Sequence, residues 1–377
     1  MQKIKFGISI SLSGRYSIQG KESLEGLALW IKDVNACGGI FVKQYGKKFT
    51  VELLYYDDES SADKCKEIVK RLILKDKVDV LTGPYSSGLT RAAAPIAEEF
   101  KKILWNHGGS SDEIMNQGLT YIVSAITPAS SYFTGIIDMV RKIDKEARKI
   151  TIFRAEDSGF STHVAEGAKR YGEENGFRIT ELKYVSGTKD FSSLLKRVQE
   201  NIPDLILGVG RADDDILLAR QIIEQKVNAK AIGLVAASIK YFKEILEKDA
   251  EGFLSTSQWE WGIKIEPHLG PKPQDFFIRF KDIYGKEPDY TAAQSYNIGL
   301  VIQKCIEDAG TLDDYALREA ASRADFKTFY GHFKIDQFTG TQIGHKMVIV
   351  QWRNGKKYIV FPERVAEAGP VYPKLIL

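Results

Sequence analysis

Short apolar runs and amphipathic stretches follow each other along most of this chain, and their periods predict strands and helices in turn. Lys3 to Ile10 puts Ile4, Phe6, Ile8 and Ile10 at alternate positions, predicting a strand that ends at the loop Ser11-Leu12-Ser13-Gly14. After Gly20, Leu24, Leu27, Ala28, Ile31 and Val34 share one face of a helix that stops at Gly38-Gly39. Phe49 to Tyr56 predicts a second strand, and Ser60-x-x-Asp63 reads as a capping box opening a helix with Ile68, Val69 and Leu72 inward. Val78 to Thr82 reads as a short buried strand, followed by a tight turn over Gly83-Pro84-Tyr85-Ser86-Ser87-Gly88 and a helix from Leu89 to Phe100. Ile103-Leu104-Trp105 predicts a fourth strand, ending in His107-Gly108-Gly109-Ser110-Ser111. The series βαβαβαβ is half of a doubly wound α/β architecture.

From Tyr121 to Pro128 the chain enters a second segment with the same rhythm. Strands are predicted at Lys149 to Arg154, Arg178 to Val185, Leu205 to Val209 and Ala229 to Leu234. A helix from Ser161 to Glu174 follows the loop Glu156 to Phe160, and others start near Ser192 and Asp213. A further apolar run covers Phe253 to Ser257, and helices are predicted at Gln274–Tyr284, Thr291–Ala309 and Asp314–Arg323. Two last strands, Met347 to Trp352 and Lys357 to Phe361, flank Asn354-Gly355, a strong hairpin signal. The two halves share their wiring without a repeat in sequence.

Composition narrows the function. At 377 residues the chain is long for one domain, so two lobes are expected. Lys+Arg 53 against Asp+Glu 50 leaves +3, which gives no electrostatic case for nucleic acid or for a membrane surface. The start, Met1-Gln2-Lys3-Ile4-Lys5, runs straight into strand alternation and does not read as a signal peptide. Cys37, Cys65 and Cys305 are far apart and odd in number, so at least one is free and none belongs to a metal motif. The acids Asp57-Asp58-Glu59 read as solvated charges at a strand end rather than as metal ligands. No cofactor loop appears either. Gly83-x-x-x-x-Gly88 continues as Leu89-Thr90 without a lysine, and Ser86-Ser87 do not form a nucleophile elbow.

What stands out is the pair of loops at the carboxyl ends of two consecutive strands, the edge at which open parallel sheets bind ligands. Ser87 falls at a helix start, where its hydroxyl and the following amides suit an anion, or where it serves as an N-cap. Gly108 and Gly109 allow close backbone approach, to a ligand or within a turn, and Ser110 adds a hydroxyl. His107 reads as polar lining.

The order of short motifs resembles the solute-binding proteins of branched-chain-amino-acid-type ABC importers, the leucine/isoleucine/valine-binding family. It is carried by Gly7 to Gly14, Ile31 to Ile40, Tyr56-Asp57-Asp58, Gly83 to Ser87, Trp259-Glu260, Tyr284 to Tyr290 and Gln351-Trp352-x-x-Gly355. The resemblance implies a class I periplasmic-binding fold: two doubly wound α/β lobes joined by three crossovers, with a ligand cleft between lobes that hinge shut. The lobes are then residues 1–126 plus 254–331 and residues 127–253 plus 332–377. It implies a receptor for a small carboxylate-bearing solute, not an enzyme, with ABC permease subunits as partners. No cofactor, metal or nucleic acid enters, and the chain is expected to be a monomer. It is expected outside the cytoplasm, soluble or lipid-anchored, as a mature domain whose leader is not in this chain. A ligand-sensing regulator on the same fold is the alternative.

Carried over by position, Ser87 holds the ligand carboxylate, the Gly108 carbonyl takes the amine, and Ser110 bridges the two. Tyr85, Ser86 and Gly109 complete the first wall, and Phe160 covers the ligand from the second lobe. Three departures follow. The family's acid for the ammonium falls near Leu234-Val235-Ala236, where there is no carboxylate. A family tyrosine falls near Gly210-Arg211-Ala212, so Arg211 either meets an anionic group or pairs with Asp213-Asp214-Asp215. Ser60 and Ser86 stand where the family pairs two cysteines. Trp259, with Trp261, serves a pocket for an apolar body or a core.

Overall fold

The strand Ile4–Ile10 is buried along almost its whole length and pairs in parallel on both sides, with Val51–Asp57 and with Val80–Thr82. A strand covered on both faces has no polar side to show, which is why the run is nearly continuous in apolar residues. Leu104–Asn106 and Ile122–Ser124 extend the sheet, in the order Val51–Asp57, Ile4–Ile10, Val80–Thr82, Leu104–Asn106, Ile122–Ser124. Every pair is parallel. In sequence terms the order is 2-1-3-4-5, with the switch point beside the loop that follows Val80–Thr82. The computed structural model describes residues 3–374; Met1 and Gln2, where the reading of the start begins, lie outside the described residues.

The second sheet repeats this order. Arg178–Tyr184, Lys149–Ala155, Leu205–Val209, Ala231–Leu234 and Leu254–Ser257 run parallel, and Val348–Arg353 and Lys356–Phe361 close one edge antiparallel. The expected hairpin is present, with Asn354 at φ 50° and Gly355 at φ 74°, as a two-residue turn between right-twisted strands requires.

The chain divides into two compact units, Met1–Pro128 with Lys264–Lys346 and Ala129–Ile263 with Met347–Leu377, so it crosses three times. The second and third crossings come later than expected. Residues 254–263 stay with the second unit because Leu254–Ser257 pairs between Ala231–Leu234 and Val348–Arg353. Residues 332–346 stay with the first, where His332–Phe333 pairs with Phe326–Lys327 and the Gly340 carbonyl accepts from the Ser124 N–H. In that unit the helix Tyr290–Ala309 is buried nearly end to end and packs along Ser17–Ala36.

Local corrections follow from the same geometry. The helix Ala62–Leu74 is capped by Ser61, whose Oγ accepts from the Lys64 N–H, and not by Ser60. Ser60 lies at φ 59° and serves another loop, accepting from the Tyr16 N–H and donating to the Ser13 carbonyl. The acidic run is not simply solvated. Asp58 is wholly buried and accepts from the hydroxyls of Ser9 and Ser11, while Asp57 takes the N–H groups of Leu12 and Ser13. All three cysteines are free thiols, Cys37 exposed and the other two buried. Among the described residues no helix is long and apolar enough to cross a membrane, and no cluster of three or more His, Cys, Asp or Glu could hold a metal.

Candidate functional site

In the first unit the two loops singled out by sequence are bonded to each other. Ser87 is the first residue of the helix Ser87–Glu99, and Ser86 is its N-cap without a side-chain cap bond. The Ser87 Oγ accepts from the backbone N–H of Ser110 and of Ser111, each at 3.1 Å. A hydroxyl has two lone pairs and one proton. With both lone pairs engaged, Ser87 can act towards a further group only as a donor. It stands in the first turn of a 13-residue helix, where backbone N–H groups without intrahelical partners and the positive end of the dipole point the same way. Chemically the position accepts an anion or a carbonyl and disfavours a donor.

The glycines are explained by the same contact. A Cβ on Gly108 would fall 2.6 Å from the Pro84 carbonyl oxygen and 2.8 Å from the Tyr85 Cα, and one on Gly109 would fall 2.5 Å from the Thr90 Oγ1. They let one loop lie against the other. Asn106 then shapes the turn from a fully buried position: its Nδ2 donates to the Gly109 carbonyl at 2.7 Å and its Oδ1 accepts from the N–H of Gly109 at 2.8 Å. In the sequence Asn106 shows only as an amide that ends a buried-strand run just before two glycines. His107 is buried rather than lining, with Nε2 bonded to the Ser23 Oγ at 2.8 Å, and burial pulls its pKa down to about 4. Tyr85 is half-buried; its hydroxyl meets that of Tyr290 at 3.0 Å and its ring stands edge-on to Tyr16. Ser110 is buried and Ser86 is half-buried, the latter with a shielded hydroxyl that has no hydrogen-bond partner.

In the second unit, the loops after four parallel strands that neighbour one another in the sheet carry the other named residues. Phe160 is half-buried in the first turn of Gly159–Glu174, edge-on to Tyr132 at 5.2 Å. Arg211 precedes the helix Ala212–Glu224 and is largely exposed; it pairs with Asp157 at 3.8 Å, not with the acids of its own helix. Asp214 instead accepts the Arg211 backbone N–H. Ala236 is buried in the turn after Ala231–Leu234, and its N–H donates to the Asp215 Oδ2 at 2.9 Å. Burial pushes the Asp215 carboxyl up to about 8, against the lowering effect of that N–H. Trp259 is buried and Trp261 exposed, and the neighbouring Glu260 pairs with the Lys357 Nζ at 2.7 Å.

Two units of the same 2-1-3-4-5 wiring, each with its loops at the carboxyl edge, define the class: a two-lobed α/β solute receptor. The family pattern described as periplasmic binding protein matches residues 3–357, and the chain belongs to that family. It is 25% identical to Leu/Ile/Val-binding protein homolog 7 of Brucella suis biovar 1 (strain 1330), over 96% of this chain and 92% of the relative. A leucine binding protein from Thermotoga maritima MSB8 superposes with a TM-score of 0.78 at 24% identity, covering 94% of this chain and 97% of the other. A solute binding protein of an ABC transporter from Rhodopseudomonas palustris BisB5, in complex with 3,4-dihydroxy benzoic acid, gives 0.76 at 20% identity over 95% and 96%. The protein is thus an extracytoplasmic binding receptor that delivers a small solute to an ABC permease, and not an enzyme.

Proposed function

We propose that the solute is a small carboxylate, held at Ser87 with the first-turn N–H groups of its helix. The observation that carries this reading is the engagement of both Ser87 lone pairs by Ser110 and Ser111, which leaves a hydroxyl fit only to donate. A carboxylate offers lone pairs and negative charge together, and a bond to a charged partner is worth about 1.5–3 kcal/mol. Leucine and 3,4-dihydroxybenzoate, named for two relatives, have little in common but a carboxylate, which supports the same anchor. Gly108 and Ser110, beside Ser87, would meet the atoms next to the carboxylate. Tyr85, Ser86 and Gly109 would support that wall. Phe160, Arg211, Ala236 and Trp259 would serve from the second unit, Arg211 through whatever charge Asp157 leaves it.

A thermal-shift screen of amino acids, aromatic acids, their amides and short carboxylates tests this reading, because a native-state ligand raises apparent stability by mass action. Acids should shift the midpoint and the matching amides should not. A neutral amide outperforming its acid would overturn the carboxylate anchor.

A further inference from the structure

We propose that Tyr132 sets the specificity of the receptor by selecting a flat, aromatic body on the solute. The inference rests on the reading above, in which a carboxylate is anchored at Ser87 and Phe160 serves the same molecule. Three segments far apart in sequence meet at the carboxyl edge of the second sheet. Phe160 stands in the first turn of Gly159–Glu174, which follows Lys149–Ala155. Gln258 directly follows Leu254–Ser257. Tyr132 lies between the turn Ala129–Ser131 and the helix Thr134–Ile143. Ala129 and Phe133 are wholly buried in the core on either side of it, while Tyr132 itself is half-buried. The turn can lie against the Phe160 helix because position 167 is glycine: a Cβ there would collide with the Ser130 carbonyl.

The side chain of Tyr132 is held from two sides. Its hydroxyl accepts from the Gln258 Nε2 at 3.2 Å, and Gln258 is itself buried. Its ring meets that of Phe160 with centroids 5.2 Å apart and planes at 82°. A buried amide bonded to a half-open tyrosine fixes the angle of the ring, so little freedom is lost when a solute comes against it. Both rings are half-buried, and each keeps part of its surface open. Two rings at nearly right angles form a corner. A flat aromatic body laid in it stacks on one ring and turns its edge to the other. Both geometries are favoured, because a ring is negative on its faces and positive at its edge. A saturated ring with as many carbons is puckered, has no such charge pattern and gains only from the area it buries.

Calorimetry of the full chain with benzoate and with cyclohexanecarboxylate tests the role of Tyr132, since the two acids share the carboxylate and the number of carbons. Wild type should bind benzoate about tenfold more tightly. Tyr132→Leu, apolar but without a ring, should bind the two within about twofold of each other. Ser87→Ala should weaken both and leave their ratio as in wild type. General damage to the fold also weakens both acids together, so the ratio reports the ring alone. If Tyr132→Leu does not fold, Tyr132→Phe, which keeps the ring and frees it from Gln258, must lower the preference by at least about threefold. Equal binding of the two acids by wild type overturns the role of Tyr132 and leaves the carboxylate anchor standing. A wild-type preference kept in full by the Tyr132 variant overturns it as well. If wild type binds neither acid, the anchor falls and this inference falls with it.

Discussion

Asp215 accepts the backbone N–H of Ala236 at 2.9 Å from a wholly buried place in the first turn of its helix. Burial raises its pKa from 3.8 to about 8. Between those values the native protein holds a proton that the unfolded chain releases, so stability falls as pH rises, by at most about 1.4 kcal/mol per pH unit. Asp215→Asn keeps an oxygen for the Ala236 N–H and cannot ionise. Its unfolding midpoint should therefore exceed that of wild type at pH 8, with the difference gone near pH 4. A constant difference across that range would mean that Asp215 does not titrate in the native state.

Ser87 and Ser86 should separate binding from capping. Ser87→Ala removes the proposed donor to the ligand, at about 1–3 kcal/mol of affinity, and strips an acceptor from two N–H groups, at a similar order of stability. Ser86 stands at the N-cap position, where loss of a bonded side chain typically costs about 1 kcal/mol. It makes no cap bond, so Ser86→Ala should lie within about 0.5 kcal/mol of wild type in urea unfolding. A larger loss at Ser86 than at Ser87 would reverse the assignment of the two hydroxyls.

The strands and most helices were legible because burial imposes a period that a single segment carries by itself. The run Leu254–Ser257 shows the limit: it reads plainly as a strand, yet nothing in it says which sheet it joins, and the expected lobe boundary was misplaced for that reason. Thr134–Ile143 escaped notice behind Ala129-Ser130-Ser131, a small polar stretch that reads as loop although it forms a helical turn. At the site, the residue types Ser87, Gly108 and Gly109 were visible, but what they do to one another was not. The bond from Ser110 to Ser87 spans 23 positions, and that from Ser11 to Asp58 spans 47. Short polar side chains look alike in sequence whether they face water or tie two loops together, since the choice depends on a partner far along the chain.

Gly108 should tolerate no side chain, whereas Gly88 should. The Gly108 position meets main-chain atoms at 2.6 and 2.8 Å, which cannot rotate away, while a Cβ on Gly88 meets nothing within 4 Å. Gly108→Ala should cost about 1–3 kcal/mol through overpacking, and should weaken ligand binding by moving the Ser87 loop. Gly88→Ala, in the first helical turn, should leave stability equal or raise it by up to about 1 kcal/mol. Denaturant unfolding of both variants measures the contrast, and equal losses would mean that backbone freedom, not space, sets the glycine at 108.

Val235 and Ala236 stand where the resembling family places an acid for the α-ammonium, and Asp215 lies buried behind them with its Oδ2 already bonded. Of the other acids on these loops, Asp157 is taken by Ser186 and Arg211, Asp213 by Tyr241, and Glu260 by Lys357. Glu156 alone is exposed with no side-chain bond. A buried ammonium without a carboxylate forgoes about 1.5–3 kcal/mol of charge-assisted bonding. Leucine, isoleucine and valine should therefore not be the best ligands, and a carboxylate with an apolar, aromatic or second anionic end should bind more tightly. Calorimetry with valine and with isovalerate, which differ by the amino group, decides it. Equal or tighter binding of isovalerate is expected. Far tighter binding of valine would sink the idea, and Glu156→Gln should then abolish the preference, because that residue is the acid left to meet the ammonium.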